Sequence, residues 1–508
     1  MSEEKNRKLG AMLSYVSIFA NTIIQLVYTP FLIKQLGQSE YGLYSLINSI
    51  IGYLTILDLG FGNAIVVYTA KYRAQKRYEE EKKLQGMFFV VFCIIGMLVG
   101  LMGLILFFNV NRVFGETMNA QELYKAKIMM LILTFNLVIS FVFNIFSSIL
   151  NAYEKFVYQK LVSILNTILK PIIMIPLLYM GFKSITMVVV ITVLNIMVLL
   201  SNYIYCKKIL NVNVKYRGFD KTIFKTIFGY SIWIFLGTIV DKINWSVDQF
   251  VLGVVSGTVA VSIYSVASQI NSLFINLSTA VSGVLLPKVS KMIANKSSNE
   301  ELTNEFIKIG RIQYFIIFFM ASGITLLGKE FFTTWVGNEY INSYYITLLL
   351  IWPLCIPLIQ NLGVSIMQAK NMHKFRSILY AIIAIVNIII SVPLAKKYEG
   401  IGSAIGTAIS LIIGNGIIIN VYYYKKVEIN IIKFWKEIIK ITISNVIPVA
   451  IVLLLMKFIH LKGYSYIILI GMIYTILYGA ICYLVSMNEY EKKLVTNLIT
   501  NIKKIKGR

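Results

Sequence analysis

Charge is scarce in this chain. Only 14% of its 508 residues are Asp, Glu, Lys or Arg, and its mean hydropathy is +0.75; soluble proteins of this length carry about a quarter charged residues. That shortage excludes an ordinary soluble globular fold. Histidine occurs twice (His373, His460) and cysteine four times (Cys93, Cys206, Cys355, Cys482), scattered and without a CxxC pair. Such a set encodes neither a disulfide framework nor a His/Cys metal site. The connecting loops are short, the longest about twenty residues, so no segment can fold as a soluble domain. A membrane-embedded polymerase or acyltransferase, which needs a sizeable outer loop or a membrane histidine for acid–base work, is disfavoured on the same grounds. A cleavable leader is not expected, because MSEEKNRK (Met1–Lys8) precedes an apolar run too long for a signal peptide.

Apolar runs fill the space that charge leaves. Hydrophobic residues make up 57% of the chain. They group into stretches of roughly 20 residues, each able to cross about 30 Å of hydrocarbon. The expected fold is an all-α integral membrane protein of about fourteen transmembrane helices, from Leu9–Ile33 and Tyr41–Ala70 to Ile441–Ile459 and Ser465–Ser486. The formal charge of +25 suggests nucleic acid only until its distribution is counted. With the N-terminus inside, 36 of the 48 Lys and Arg fall on that side and 10 on the other; Lys170 and Lys242 lie within spans. That asymmetry places both termini in the cytoplasm of a cell-membrane protein and leaves no need for a nucleic-acid partner. Mixed-sign loops such as KYRAQKRYEEEKK (Lys71–Lys83) suit a surface beside anionic membrane lipids.

The chain repeats weakly. PFLIKQLGQSEYGLYSLINSI (Pro30–Ile50) and FVLGVVSGTVAVSIYSVASQI (Phe250–Ile270) share an LG, a short polar gap and an aromatic-Ser helix start. They lie about 220 residues and six spans apart. An even number of spans per copy predicts two parallel lobes, residues 1–210 and 211–425, with two further spans and a tail over 426–508.

Polar residues within the spans fall at helical spacing. Ser14, Ser17, Asn21, Gln25 and Tyr28 form one stripe. Tyr230, Thr238, Asp241, Asn244, Trp245 and Asp248 form a second, and Ser265, Gln269, Ser272, Asn276 and Thr279 a third. Small polar side chains commonly join packed helices, at about 0.6 kcal/mol each. Ionisable groups are another matter, costing roughly 2.5–3.5 kcal/mol at mid-helix. Asp58 is such a group: it lies thirteen residues before Lys71, about 20 Å from the basic edge and too deep to snorkel out. Asp58, Lys170, Asp241, Lys242 and Asp248 are therefore the candidate lining of a hydrated cavity, together with Asn21, Gln25, Asn244, Gln269 and Asn276. A structural ion pair between Lys170 and an aspartate is the alternative. The GFG after Asp58 (Gly60–Gly62) predicts close packing or a local bend.

Three stretches resemble a known family. PFLIKQLGQSEYGLYSLINSIIGYLTILDLGFGNAIVVYTAKY (Pro30–Tyr72), DQFVLGVVSGTVAVSIYSVASQI (Asp248–Ile270) and VLLPKVSKM (Val284–Met292) are similar to bacterial polysaccharide-export flippases of the multidrug/oligosaccharidyl-lipid/polysaccharide exporter superfamily. The resemblance implies two six-helix lobes around a central cavity that opens alternately to either side, plus two added helices. It also implies carriage of undecaprenyl-diphosphate-linked oligosaccharide for surface polysaccharide, without enzymatic chemistry or a cofactor. A polysaccharide polymerase and glycosyltransferases of the same pathway would be partners. Relatives of this type line the cavity with arginines, whereas the expected spans here contain none. Lys170 and Lys242 are the only basic candidates for a diphosphate. The aspartates would balance that charge or bind a coupling cation or proton. A cation-coupled multidrug exporter of the same superfamily is the competing expectation.

Overall fold

The computed structural model describes residues 3–506, apart from 213, 215, 217, 283–290, 294, 296, 371 and 460. Most of the VLLPKVSKM stretch therefore lies outside the described residues. So do the side chains of Tyr230, Thr238, Asp241, Asn244, Trp245 and Thr279. Among the described residues every regular element is helical. The order is α1 (Glu3–Leu36), α2 (Gln38–Leu54), a 3-10 turn (Thr55–Asp58), α3 (Phe61–Ala74), α4 (Tyr78–Phe114), α5 (Ala120–Ala152), α6 (Phe156–Tyr179) and α7 (Ser184–Ile204). Then follow α8 (Lys221–Val255), α9 (Thr258–Ser282), α10 (Asn299–Trp335), α11 (Ile341–Ile359), α12 (Asn361–Ala369), α13 (His373–Leu411), α14 (Ile431–Met456), α15 (Gly463–Ile481) and α16 (Glu489–Lys506).

Twelve stretches of described residues are long and apolar enough to cross a membrane, and the chain is a multi-pass membrane protein. One of the twelve, Phe375–Val427, runs 53 residues. As a single helix it would measure about 80 Å, far more than a bilayer requires. It is broken at Glu399 (φ 50°, ψ −131°), so it covers two expected spans. The expected span Thr226–Gly253 falls in α8, where several side chains are outside the described set. The all-α membrane fold is as the sequence predicts, while the number fourteen remains a reading of the sequence.

The chain packs as two compact units, Met1–Ser265 and Val266–Arg508. Unit 1 is organised around α5, which packs on α2, α3, α4 and α7. A capping box starts α5: Glu122 N–H donates to Asn119 Oδ1 and Asn119 N–H donates to Glu122 Oε2, both at 2.9 Å. Two of the four N–H groups that an α-helix start leaves unpaired are answered in this way. Helix α8 is held at both ends within this unit. At its start the Asp220 carboxylate accepts the Ile223 and Thr222 N–H groups, both at 3.0 Å, with Lys83 3.5 Å away. These donors hold its carboxyl below the usual carboxylate range, the Ile223 bond first. Phe224 and Phe228 then join Phe61 and Phe88 in an aromatic cluster with centroids 5.3–6.3 Å apart. Such pairs contribute about 0.5–1.5 kcal/mol each beyond burial. At the far end of α8 the Gly253 carbonyl accepts Thr117 Oγ1 at 2.7 Å.

Helices α2 and α9 meet backbone to backbone in unit 1. A Cβ built on Gly42 would lie 1.8 Å from the Thr258 carbonyl oxygen, a separation no side chain tolerates. Small residues allow such approaches, and van der Waals packing then holds the helices together in lipid. Thr258 Oγ1 donates to Glu122 Oε1 at 2.8 Å, and Ser39 Oγ donates to the same carboxylate oxygen. Charges buried in this region are paired, as burial requires. Glu40 accepts Lys125 Nζ at 2.7 Å and both the N–H and Oγ of Ser184. Glu81 accepts Tyr153 Oη at 2.6 Å.

In unit 2, α10 packs against α11, α14 and α15. Phe306, Phe318, Ile351, Phe434, Tyr474 and Tyr478 form part of its core. The Phe319 and Tyr474 rings stack at 5.3 Å with only 4° between their planes. An apolar cavity of about 330 Å³ opens among α9, α10 and α15, with Phe274, Phe319, Leu327, Phe331 and Tyr474 in its wall.

Features of the two repeat copies recur at matching positions. Gly37 (φ 80°) and Gly257 (φ 84°) each precede a helix start, at Gln38 and Thr258. This is the left-handed backbone that glycine accepts without strain. A second pair was not apparent in the sequence. The helices that end the sixth and twelfth expected spans both pass into a π-helical turn, Tyr205–Ile209 (YCKKI) and Tyr423–Val427 (YYKKV), 218 residues apart. Each carries a Lys-Lys pair in its last turn.

Candidate functional site

Asp58 sits where a membrane helix is interrupted. After α2 the chain tightens into the Thr55–Asp58 turn, then adopts left-handed backbone at Leu59 (φ 52°) and Gly60 (φ 73°) before α3 begins. The bend expected at GFG is therefore a full break. Asp58 Oδ1 accepts Asn144 Nδ2 at 3.0 Å, and the carboxylate also accepts the backbone N–H groups of Gly60 and Gly62. A carboxylate at the start of α3 answers donors that the helix end leaves unpaired and lies at the positive end of its dipole. A non-helical backbone at membrane depth is tolerated where protein or a water-filled cavity satisfies it, and broken helices of this kind form binding sites in secondary transporters.

Asp248 on α8 is buried at 3% exposure and accepts Tyr264 Oη of α9 at 2.6 Å. Asp248 also lies within electrostatic range of Tyr53 of α2. One residue before Tyr53, a Cβ on Gly52 would lie 4.0 Å from Lys242 Nζ. Helices α2, α8 and α9 thus bring Lys242, Asp248, Tyr53 and Tyr264 to one region of unit 1. Lys170 on α6 is partly buried and has no hydrogen-bond or ion-pair partner among the described residues. No ion pair between Lys170 and an aspartate occurs among the described residues, and the side chain of Asp241 lies outside them. Asn21 and Gln25 are exposed on α1, Asn276 is exposed on α9, and Gln269 is partly exposed. Asp241 and Asn244 lie on α8, with side chains outside the described residues. No group of three or more His, Cys, Asp or Glu placed to hold a metal occurs among the described residues.

A polar stripe on α5 lies outside the candidates above. Asn136, Ser140, Asn144 and Ser147 advance by 4, 4 and 3 residues, the spacing of one helix face. Asn195 Nδ2 on α7 donates to Asn136 Oδ1 at 2.7 Å and to Ser140 Oγ at 2.8 Å. Asn202 Nδ2 donates to Ser147 Oγ at 3.2 Å. Asn144 is thereby placed on a helix fixed to α7, which orients the donor that meets Asp58. The same spacing test that found the stripe on α1 would have found this one.

Comparison with known proteins decides the lineage. Residues 9–293 match the polysaccharide biosynthesis protein family, more than half of the chain. The chain belongs to this family. The match spans α1 to the region after α9, and so includes Asp58, Lys170, Lys242 and Asp248. This polysaccharide biosynthesis protein is also 22% identical, over 402 residues, to a Shigella flexneri protein assigned as an O-antigen transporter; the match covers 77% of this chain and 92% of the relative. Among solved structures its fold is similar to that of the lipid II flippase MurJ in an inward closed conformation, with TM-score 0.73 and 21% identity over 93% of this chain and 99% of that one. It is similar as well to an inward-facing multidrug-resistance MATE family transporter of the MOP superfamily, with TM-score 0.63 and 15% identity over 84% and 100%. The family resemblance carried by the Pro30–Tyr72 and Asp248–Ile270 stretches is borne out by the match over residues 9–293.

Proposed function

We propose that this polysaccharide biosynthesis protein is a flippase that carries undecaprenyl-diphosphate-linked oligosaccharide units across the cytoplasmic membrane by alternating access. The family match over residues 9–293 carries the reading. The assigned activity of the Shigella relative and the MurJ-like fold support it. The task is physical rather than chemical: a large polar, anionic head group crosses through protein while its lipid stays among apolar surfaces. No bond is made or broken, so the protein acts as a transporter and not as an enzyme. In this reading residues 1–210 and 211–425 form the two lobes, residues 426–508 the added spans and tail, and the whole has fourteen spans.

Lys170, half-buried and without an ion-pair partner among the described residues, takes the diphosphate as a compact point charge, with Lys242 in support. Asn21, Gln25, Asn244, Gln269 and Asn276 meet sugar hydroxyls. Asp58, Asp241 and Asp248 balance the lysines, or hold a coupling cation or proton during the return step. The apolar cavity in unit 2 is chemically suited to part of a lipid chain. Its pathway partners are a polysaccharide polymerase and glycosyltransferases. In reconstituted vesicles the protein should move a diphosphate-linked oligosaccharide lipid from the inner to the outer leaflet, read by a modifying enzyme added outside. Movement of a cationic dye in place of that lipid would transfer the assignment to a cation-coupled exporter.

The 36-to-10 basic bias further assigns both termini to the cytoplasm. A membrane-impermeant thiol reagent added outside cells should label a cysteine placed at Asn338 and miss one at Gln75. The opposite pattern inverts every loop.

A further inference from the structure

Helix α16 is amphipathic, and its one acidic residue on the apolar side is the residue that ties it down. At 100° per residue, Leu494, Val495, Leu498, Ile499, Ile502 and Ile505 share one face. Glu491 falls at the centre of that face, one turn ahead of the apolar run. Its carboxylate accepts Arg311 Nε at 2.8 Å and Arg311 Nη2 at 2.9 Å, with exposures of 4% for Glu491 and 6% for Arg311. Arg311 also donates from Nη1 to Glu437 Oε2 at 2.8 Å and from Nη2 to the Ser486 carbonyl at 3.0 Å. The paired Arg–carboxylate fork fixes direction as well as distance. Asn488 completes the start: its N–H donates to Glu491 Oε2 at 2.8 Å, and Glu491 N–H donates to Asn488 Oδ1 at 3.0 Å. Lys308 Nζ lies 3.7 Å above the Tyr490 ring.

Among the described residues, every hydrogen bond and charge contact from α16 to another element falls within 488–492. The start of the helix is pinned, and the spacing of apolar residues in the sequence continues the face to Ile505; the side chains of residues 498, 499 and 501–506 lie outside the described residues. The remaining faces carry Lys492, Lys493, Lys503 and Lys504, and the segment from 492 to 508 contains six Lys and Arg and no Asp or Glu. Low overall hydrophobicity, a sharp apolar face and lysines around it describe a helix that lies in a membrane interface rather than across it.

We infer that α16 is an interfacial helix that binds a bilayer surface bearing anionic phospholipid, hinged on the Arg311–Glu491 pair. Charge complementarity selects this occupant, since an apolar face alone would fit a protein groove equally well. Each lysine near such a surface adds attraction that salt screens. The inference requires no transported substrate, so it stands or falls separately from the flippase reading.

The test uses full-length protein carrying a nitroxide at Ile502→Cys or at Asn497→Cys, each with Cys93→Ser. The protein is placed in vesicles of phosphatidylcholine, with or without a quarter of phosphatidylglycerol. With phosphatidylglycerol, position 502 should become accessible to oxygen and shielded from a water-soluble nickel chelate, while position 497, on the opposite face, stays open to nickel. Each Lys→Gln change among Lys493, Lys503 and Lys504 should lower the bound-to-free ratio about fivefold, and all three together about a hundredfold. Position 502 open to nickel in anionic vesicles would overturn the inference. Shielding from both probes in either lipid would overturn the inference in favour of packing against this chain or a second copy of it, and lipid burial unaffected by phosphatidylglycerol or salt would overturn the anionic requirement. Circular dichroism of each variant guards against misfolding.

Discussion

Lys170→Glu is expected to stop export, because it places an anion where the transported diphosphate must pass. Lys170→Ala should cut export roughly 10- to 150-fold, the range set by losing one hydrogen-bonded contact to a charged group. Lys170→Arg should retain most of it, since charge is conserved and only the geometry changes. The order follows from the charge of the anionic cargo, and no ion pair among the described residues is lost on substitution. Asp58→Asn should reduce export without preventing membrane insertion. The amide oxygen can still accept the Gly60 and Gly62 N–H groups that shape the break, but the charge is gone. Transport is measured against protein quantified in the membrane. Equal tolerance of Glu, Ala and Arg at position 170, with normal expression, would end the phosphate role.

Gly42→Val is the second large effect expected, and it is structural. The 1.8 Å approach to the Thr258 carbonyl is to backbone, which cannot swing aside. The helix starts of α2 and α9 must separate, and overpacking of this kind costs about 1–3 kcal/mol or more. The melting temperature of the purified protein should fall by several degrees. Gly253→Ala should be milder, because its nearest neighbours are terminal methyls of Leu46, which can rotate away. Gly229→Ala meets nothing within 4 Å and should leave the melting temperature unchanged. A Gly42→Val protein as stable as Gly229→Ala would show that α2 and α9 do not pack as described.

These two sites also show what could be read from the residues in order. Membrane class, the all-α fold and the depth of Asp58 follow from hydropathy and spacing, which are local properties of the chain. The repeat was legible through its LG and aromatic-Ser pattern, and Gly37 and Gly257, one residue before each helix start, have nearly equal φ. The π-turn pair at Tyr205 and Tyr423 shares only YxKK, too short to stand out. Asn144 was passed over because amides on α5 look like ordinary packing until their partner is known. The Arg311–Glu491 pair joins residues 180 apart, and no spacing rule brings such residues together. The break after Asp58 was expected only as a bend. What turned it into a break was the left-handed pair Leu59–Gly60, and leucine gives no warning of that conformation.

The most direct test of the central claim is removal of the gene from the producing cell, followed by extraction of lipid-linked sugars and assay of surface polysaccharide. Loss of surface polysaccharide, with the diphosphate-linked precursor accumulating on the cytoplasmic side and both restored by the parent protein but not by Lys170→Glu, is the predicted result. Intact surface polysaccharide, no accumulated precursor and new sensitivity to cationic drugs would contradict it.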